Sequence, residues 1–206
     1  TLWSLYRDGL LPKKITFVGY ARSKLKIEDV VQNFKPYTKV NNEDTEKFNA
    51  FLSINHYISG SYDQKNDFKN LNEKLCQHEQ GICKRCFYLA LPPSVYKCVT
   101  ANVNSYCRSN SGWNRIIIEK PLGHDLNSAT ELSHHLASAF KEEELYHIDH
   151  YLGKEMVQNL MILRFGNRIF GPTWNRDNIA TVMITFKEPI GTQGRGGYFD
   201  NYGIIR

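Results

Sequence analysis

Hydrophobic positions in this chain follow two alternating patterns. Short continuous apolar runs have the length of buried strands, and between them apolar residues recur every three or four positions, as on one face of a helix. The runs that predict strands are Ile15–Val18, Cys86–Leu91, Ile116–Ile118 and Leu145–Ile148. The helical spacings fall within Leu2–Leu5, Ile27–Phe34, Phe48–Leu52, Phe68–Leu75, Val95–Val103 and Leu126–Leu136. Alternating strands and helices predict a Rossmann-type α/β fold, a parallel sheet with helices on both faces.

The pattern changes after Arg168. Residues Ile179–Phe186 alternate, with Val182, Ile184 and Phe186 on one side, and a proline and a glycine follow closely. Such alternation is typical of a strand with only one buried face. We therefore expect two regions: residues 1–148 as a partial nucleotide-binding domain, and residues 149–206 as the start of an α+β domain with an antiparallel sheet.

Composition excludes several classes of protein. The chain has 206 residues and 41% hydrophobic content, enough for one large domain or one and a half. No apolar run reaches the ~18 residues that a membrane span needs. The net charge of +5 is spread along the chain, which does not favour nucleic acid as a partner. Five cysteines, an odd number, and the lack of an Asn-x-Ser/Thr sequon favour a reducing compartment, the cytoplasm.

Residues directly after the predicted strands are candidates for ligand binding, because ligands of open α/β sheets bind beyond the carboxyl ends of the strands. Arg22 follows the first strand, where an NAD-preferring fold places an acidic residue. In a dinucleotide-binding fold this cation would favour the 2′-phosphate of NADP. Lys120 follows the third strand and precedes Pro121, at a position suited to touching a substrate. A solvated surface side chain remains the alternative interpretation for both residues.

Residues 147–154, His-Ile-Asp-His-Tyr-Leu-Gly-Lys, concentrate more chemistry than any other stretch. His150 and Lys154 are four positions apart and would share one face of a helix, where two donors suit a dianion such as a phosphate ester. Asp149 would point elsewhere, free for a second task. Two alternatives stay open: a metal site with His147, Asp149 and His150, or a structural role in which Asp149 caps the following helix.

The glycines between Gly191 and Gly197 resemble a phosphate-binding loop only by their number. They follow a predicted antiparallel strand, and no helix is expected after them. We therefore predict a turn at these residues.

Several longer motifs resemble the glucose-6-phosphate dehydrogenase family, and the resemblance covers essentially the whole chain. The match at residues 147–154, which we call the octapeptide, is highly specific, whereas Glu-Lys-Pro also occurs in other sugar oxidoreductases. The matching segments are residues 20–23 (YARS), 88–93 (YLALPP), 119–123 (EKPLG), 148–155 (IDHYLGKE), 175–179 (NRDNI), 186–191 (FKEPIG) and 196–200 (GGYFD).

The resemblance implies oxidation of glucose 6-phosphate at C1 by NADP⁺, giving the 6-phosphogluconolactone in the first step of the oxidative pentose phosphate pathway. His150, Tyr151 and Lys154 would bind the substrate phosphate, and Glu188 would hold a sugar hydroxyl. The remaining roles concern catalysis and the cofactor. Lys120 would contact the sugar near C1 and the cofactor, Arg22 the 2′-phosphate and Tyr96 the cofactor cleft, while Asp149 would orient the catalytic histidine.

The family's glycine-rich loop and first strand are expected before Thr1, and its catalytic histidine after Arg206. We therefore expect the chain as given to show no turnover of glucose 6-phosphate and NADP⁺ in an NADPH absorbance assay. The complete enzyme is expected to be a homodimer or homotetramer with no metal, membrane or nucleic-acid partner. Two alternatives remain: the hexose-6-phosphate dehydrogenase of the endoplasmic reticulum, and a non-catalytic phosphosugar-binding chain.

Overall fold

The computed structural model describes residues 1–79, 81–185, 187, 189 and 191–203. The chain divides into two compact units, Thr1–Arg85 with Ser94–Asn114, and Cys86–Pro93 with Arg115–Arg206. In the part described, no helix is both long enough and apolar enough to cross a membrane.

The first unit contains a two-stranded parallel sheet and five α-helices among its described residues. Strands β1 and β2 pair along their whole length, from Phe17 with Asn55 to Ala21 with Ser59. The elements in chain order are α1 (Leu2–Arg7), β1 (Phe17–Ala21), α2 (Ile27–Phe34), α3 (Thr45–Ser53), β2 (Asn55–Ser59), α4 (Lys65–His78) and α5 (Tyr96–Tyr106).

An aromatic cluster forms the core beside α1 and α3. Trp3, Phe48 and Phe51 are each at most 6% exposed, and the Trp3 and Phe48 rings meet edge to face with their centroids 4.9 Å apart. The indole N–H of Trp3 donates to the Lys39 carbonyl oxygen at 3.1 Å, so the buried polar group is satisfied. Gly9 ends this region of helix with φ +70°, a conformation that favours glycine, as its spacing after Leu5 predicted.

The second unit carries a three-stranded sheet in the order β3-β4-β5. Strands β4 and β5 are parallel, and Glu119 pairs with Ile148 at their carboxyl ends. Ile116 and Ile118 are fully buried on one face of β4, whereas Arg115 on the other face is exposed. Its elements are β3 (Arg85–Leu89), β4 (Asn114–Glu119), α6 (Leu126–Ala139), β5 (Leu145–Ile148), α7 (Glu155–Gly166), α8 (Phe170–Thr173) and α9 (Gly196–Tyr202).

The alternating order of strands and helices is confirmed, with two differences in the sheets. The strands form two separate sheets among the described residues, not the single sheet predicted. Strand β2 was not predicted, because Asn55–Ser59 has no continuous apolar run. In the sheet it pairs with β1 along one edge only. Partial exposure permits such a mixed sequence.

Two predictions for the region after Arg168 are wrong within the described residues. Residues 179–185 form no strand, and Val182 and Ile184 are 72% and 74% exposed. A strand needs hydrogen bonds from a neighbour, and no described strand lies beside this segment. The glycine-rich stretch does turn at Gln193 and Gly194, but α9 begins directly at Gly196. Phe186 lies outside the described residues.

Candidate functional site

The carboxyl ends of β4 and β5 bring together two of the predicted site residues. Since Glu119 pairs with Ile148, the next residues, Lys120 and Asp149, leave the sheet side by side. The Lys120 ammonium lies 3.9 Å from Asp149 Oδ1, and the two side chains are 35% and 50% exposed. A solvent-screened pair of this kind contributes little to stability, and the exposure of both side chains leaves them accessible to a ligand.

Tyr151 is the centre of the cationic part of the site. The Lys120 and Lys154 ammonium groups lie 4.2 Å and 4.6 Å from the centroid of its ring, within the range of a cation–π contact. The His150 ring stacks on the same phenol with centroids 4.7 Å apart. Two ammonium groups and an imidazole therefore surround one aromatic ring, an arrangement suited to a multiply charged anion.

A tight turn connects these side chains. The Tyr151 N–H donates to Asp149 Oδ1 at 3.1 Å, and the Lys154 N–H donates to the Tyr151 carbonyl oxygen at 3.1 Å. Helix α7 begins only at Glu155, with Lys154 as its N-cap residue. His150 therefore does not share a helix face with Lys154, and Asp149 is not the helix cap. The turn brings the residues together, and the positive end of the α7 dipole adds to the attraction for an anion.

The loop after Lys120 is anchored against the start of α6. The Lys120–Pro121 peptide bond is cis. A Cβ added at Gly123 would lie 2.6 Å from both the Ala129 nitrogen and the Ser128 hydroxyl oxygen, so only glycine fits at this close approach. Asp125 then caps α6 by accepting the Ser128 N–H at 2.8 Å.

Tyr88 on the adjacent strand restrains Glu119, the residue before Lys120. Its hydroxyl donates to the Glu119 carboxylate. This hydrogen bond, together with burial and the Glu119 charge, raises the pKa of Tyr88 to about 12. The phenol therefore stays protonated and holds the end of β4 in place.

The first unit contains the candidate cofactor residues Arg22 and Tyr96. Arg22 follows β1 directly, and its guanidinium carbon lies 5.3 Å from the ring centroid of Tyr62. Tyr62 was not predicted as a site residue. Strands β1 and β2 end together, so an aromatic residue shortly after β2 lies near the residue after β1. Knowledge of strand β2 would therefore have pointed to Tyr62. Tyr96 begins α5 and is 1% exposed, so its role in a cofactor cleft stays a prediction.

The structure thus groups Lys120, Asp149, His150, Tyr151 and Lys154 in the second unit. Glu188 lies outside the described residues. Among the residues that the structure does describe, no three histidine, cysteine, aspartate or glutamate side chains come together as metal ligands would. The role of each residue remains a prediction at this point.

Comparison with known proteins gives matches over the whole chain. The family model described as "Glucose-6-phosphate dehydrogenase, NAD binding domain" matches residues 1–159, and the C-terminal domain model of the same name matches residues 161–206. Two similar curated proteins are a glucose-6-phosphate 1-dehydrogenase from Takifugu rubripes, 58% identical, and one from Drosophila melanogaster, 56% identical. Both alignments cover 100% of this chain, which spans 39% and 40% of the two relatives.

Solved structures give the same result. A glucose-6-phosphate dehydrogenase in complex with its substrate glucose-6-phosphate is similar with a TM-score of 0.83 and 48% identity, covering 100% of this chain and 44% of that one. A glucose-6-phosphate 1-dehydrogenase from Mycobacterium avium has a TM-score of 0.76 and 26% identity, covering 99% of this chain and 44% of that one.

Proposed function

The chain belongs to the glucose-6-phosphate dehydrogenase family, and we propose that it is part of an enzyme that oxidises glucose 6-phosphate to the 6-phosphogluconolactone with NADP⁺. The observation that carries this proposal is the cluster at the ends of β4 and β5. Two lysines contact the Tyr151 ring, and Asp149 lies beside one of them. This cluster offers cations for a sugar phosphate and a carboxylate for a separate task.

In this mechanism Lys154, His150 and Tyr151 bind the phosphate of the substrate. Lys120, at the end of β4, reaches the sugar near the carbon that is oxidised. Asp149 orients a histidine base supplied by the complete enzyme. Both contacts that Asp149 makes among the described residues use Oδ1, so Oδ2 can accept the histidine N–H. Such a hydrogen bond fixes the tautomer of the base that removes the C1 hydroxyl proton.

A bound NADP⁺ would supply the acceptor for the hydride from C1, and residues of the first unit would hold it. The exposed Arg22 guanidinium suits the 2′-phosphate that distinguishes NADP from NAD, and the neighbouring Tyr62 ring offers an aromatic face. No acidic residue stands between the end of β1 and Lys26 to favour a free ribose hydroxyl. Tyr96 and Lys120 complete the cofactor-binding residues that we propose.

Lys154→Ala in the full-length protein tests the phosphate site. Loss of one charged hydrogen bond should cost roughly 1.5–3 kcal/mol, about a 10- to 100-fold rise in KM for glucose 6-phosphate. Lys141→Ala is the matched control, because that exposed ammonium lies 4.0 Å from Glu143 and has no proposed role. Steady-state NADPH absorbance gives both constants. An unchanged KM in Lys154→Ala would refute the assignment.

Arg22→Gln tests the choice of cofactor. We expect kcat/KM for NADP⁺ to fall about tenfold or more, while the value for NAD⁺ changes little, since only NADP⁺ carries the 2′-phosphate. Lys24→Gln, two positions away, serves as the control. An equal loss with both cofactors would show that Arg22 does not bind the 2′-phosphate.

We further infer a cytoplasmic homodimer or homotetramer that works in the oxidative pentose phosphate pathway. The five free cysteines support a reducing compartment. Sedimentation of the full-length protein and fluorescence localisation in cells would test assembly and compartment. A monomer, or a protein inside the secretory pathway, would contradict this inference.

A further inference from the structure

A groove in the first unit has no part in the function proposed above. It is open to solvent and has a volume of about 480 Å³. The start of α2 at Lys26, the β2 residues His56–Ile58, and the end of α4 from Lys74 to His78 form its walls. Its volume is within the usual range for pockets that bind small molecules, roughly 300–1,000 Å³.

The charged residues of the groove are mostly basic. Lys26 and Lys74 contribute two ammonium groups from different elements, and Glu28 contributes the one carboxylate that lines it. The Lys74 ammonium lies 3.4 Å from the Gln77 side-chain oxygen, a long and neutral contact. The lining thus keeps a net positive charge, which favours an anionic ligand.

A pair of stacked imidazoles lies in the same groove. The His56 and His78 rings have centroids 4.0 Å apart and planes inclined by 25°. Burial, and secondarily the neighbouring His78, lower the pKa of His56. The other titratable groups that line the groove are Lys26, Glu28, Tyr57, Lys74 and His78. An anion bound beside His56 would favour its protonated form and so draw a proton onto this imidazole.

Apolar side chains complete the lining. Leu25, Ile27 and Ile58 line the groove together with Tyr57, whose hydroxyl donates to the Ser23 carbonyl oxygen at 2.7 Å. The ligand that matches these walls has an apolar body as well as negative charge.

We propose that this groove is a second binding site for a small organic dianion with an apolar body, held by Lys26 and Lys74 beside the His56–His78 pair. The site is separate in its residues from those proposed for glucose 6-phosphate and NADP. Binding of the ligand is coupled to uptake of a proton by His56.

Isothermal titration of the full-length protein with naphthalene-1,5-disulfonate tests this proposal, because both sulfonates of that probe stay ionised across the neutral range. We expect one probe per chain. Titrations near neutral pH in buffers of different ionisation enthalpy should report proton uptake on binding. Lys26→Gln and Lys74→Gln should each raise the Kd about tenfold, as loss of one charged contact predicts. Lys65→Gln, at the other end of α4, is the matched control and should leave the Kd unchanged.

The His56 imidazole provides an independent measurement. His56→Gln should abolish the proton uptake, and Lys74→Arg should retain binding because it keeps the charge. Thermal melts followed by circular dichroism identify any variant that fails to fold. The Kd of Lys74→Arg compared with that of Lys74→Gln then still tests whether the charge at this position binds the probe. The proposal is overturned if the probe does not bind, if both glutamine variants of the lysines bind normally, or if no proton is taken up. It is also overturned if Lys154→Gln removes the binding, which would place the probe in the proposed substrate site.

Discussion

Replacing Glu79 by glutamine tests the most buried charge in the described part of the fold. The Arg85 side chain is 6% exposed and forms a two-pronged ion pair with Glu79, Nε to Oε1 at 2.6 Å and Nη2 to Oε2 at 2.7 Å. Its remaining amino group donates to Asn72 Oδ1 at 2.6 Å and to the Cys107 carbonyl oxygen at 2.7 Å. Each nitrogen of the Arg85 guanidinium therefore has a hydrogen-bond acceptor while Glu79 is ionised.

Glu79→Gln keeps one acceptor but removes the charge and the second acceptor. The Arg85 guanidinium would then be buried without a counter-ion, which costs about 3–5 kcal/mol in comparable pairs. Glu79 is 20% exposed, so we expect the lower end, about 3 kcal/mol. Urea unfolding followed by circular dichroism measures the loss. Glu73→Gln, an exposed position on α4, is the control and should change the unfolding free energy by less than about 0.5 kcal/mol.

The effect should also depend on pH. Hydrogen bonding to Arg85, with a smaller contribution from its charge, holds the pKa of Glu79 below its ordinary value. The stabilisation is therefore complete above the ordinary carboxyl pKa and is lost as the pH falls through the lowered pKa of the folded state. Wild type and Glu79→Gln should converge in stability on acidification. A cost below about 1 kcal/mol at neutral pH, or a difference that persists in acid, would refute the reasoning.

Two further changes test the loop after Lys120 and the role of Asp149. Asp125→Ala should lower the unfolding free energy by about 1 kcal/mol by removing the cap of α6, whereas Asp125→Asn should retain most of it; equal losses in urea unfolding would contradict the capping role. Asp149→Asn in the full-length protein should lower kcat with little change in KM for glucose 6-phosphate; a wild-type rate in the NADPH assay would count against its orienting role.

Strand-end reasoning predicted the site better than helix periodicity did. Lys120 was selected because it follows the carboxyl end of a predicted strand, and the structure places its ammonium 3.9 Å from Asp149, which follows the neighbouring strand. The expected helix face of His150 and Lys154 was wrong. Helix α7 begins at Glu155, one residue after Lys154. The turn at Asp149 is stabilised by a hydrogen bond to its side chain, which hydrophobic periodicity cannot predict.

Pairing between distant segments explains the other differences. Strand β2 depends on its register with β1, whose partner residues lie 38 positions away, as Phe17 with Asn55. The alternating residues 179–185 have the composition of a strand and no described neighbour to pair with. A local pattern gives the preference of a segment, whereas a strand forms only when a second segment supplies its hydrogen bonds.

The same turn bears on the two tasks that we propose for the octapeptide. Asp149 contacts Tyr151 through the backbone N–H, and Lys154 contacts it through the ring. In the proposed mechanism Lys154 binds the phosphate from beside the aromatic face, and Asp149 orients the histidine through Oδ2 while the Tyr151 N–H holds Oδ1. If these tasks are separate, Lys154→Ala changes KM and Asp149→Asn changes kcat. Since both groups meet at Tyr151, any coupling between them would appear in the double variant as a departure from additive free energies.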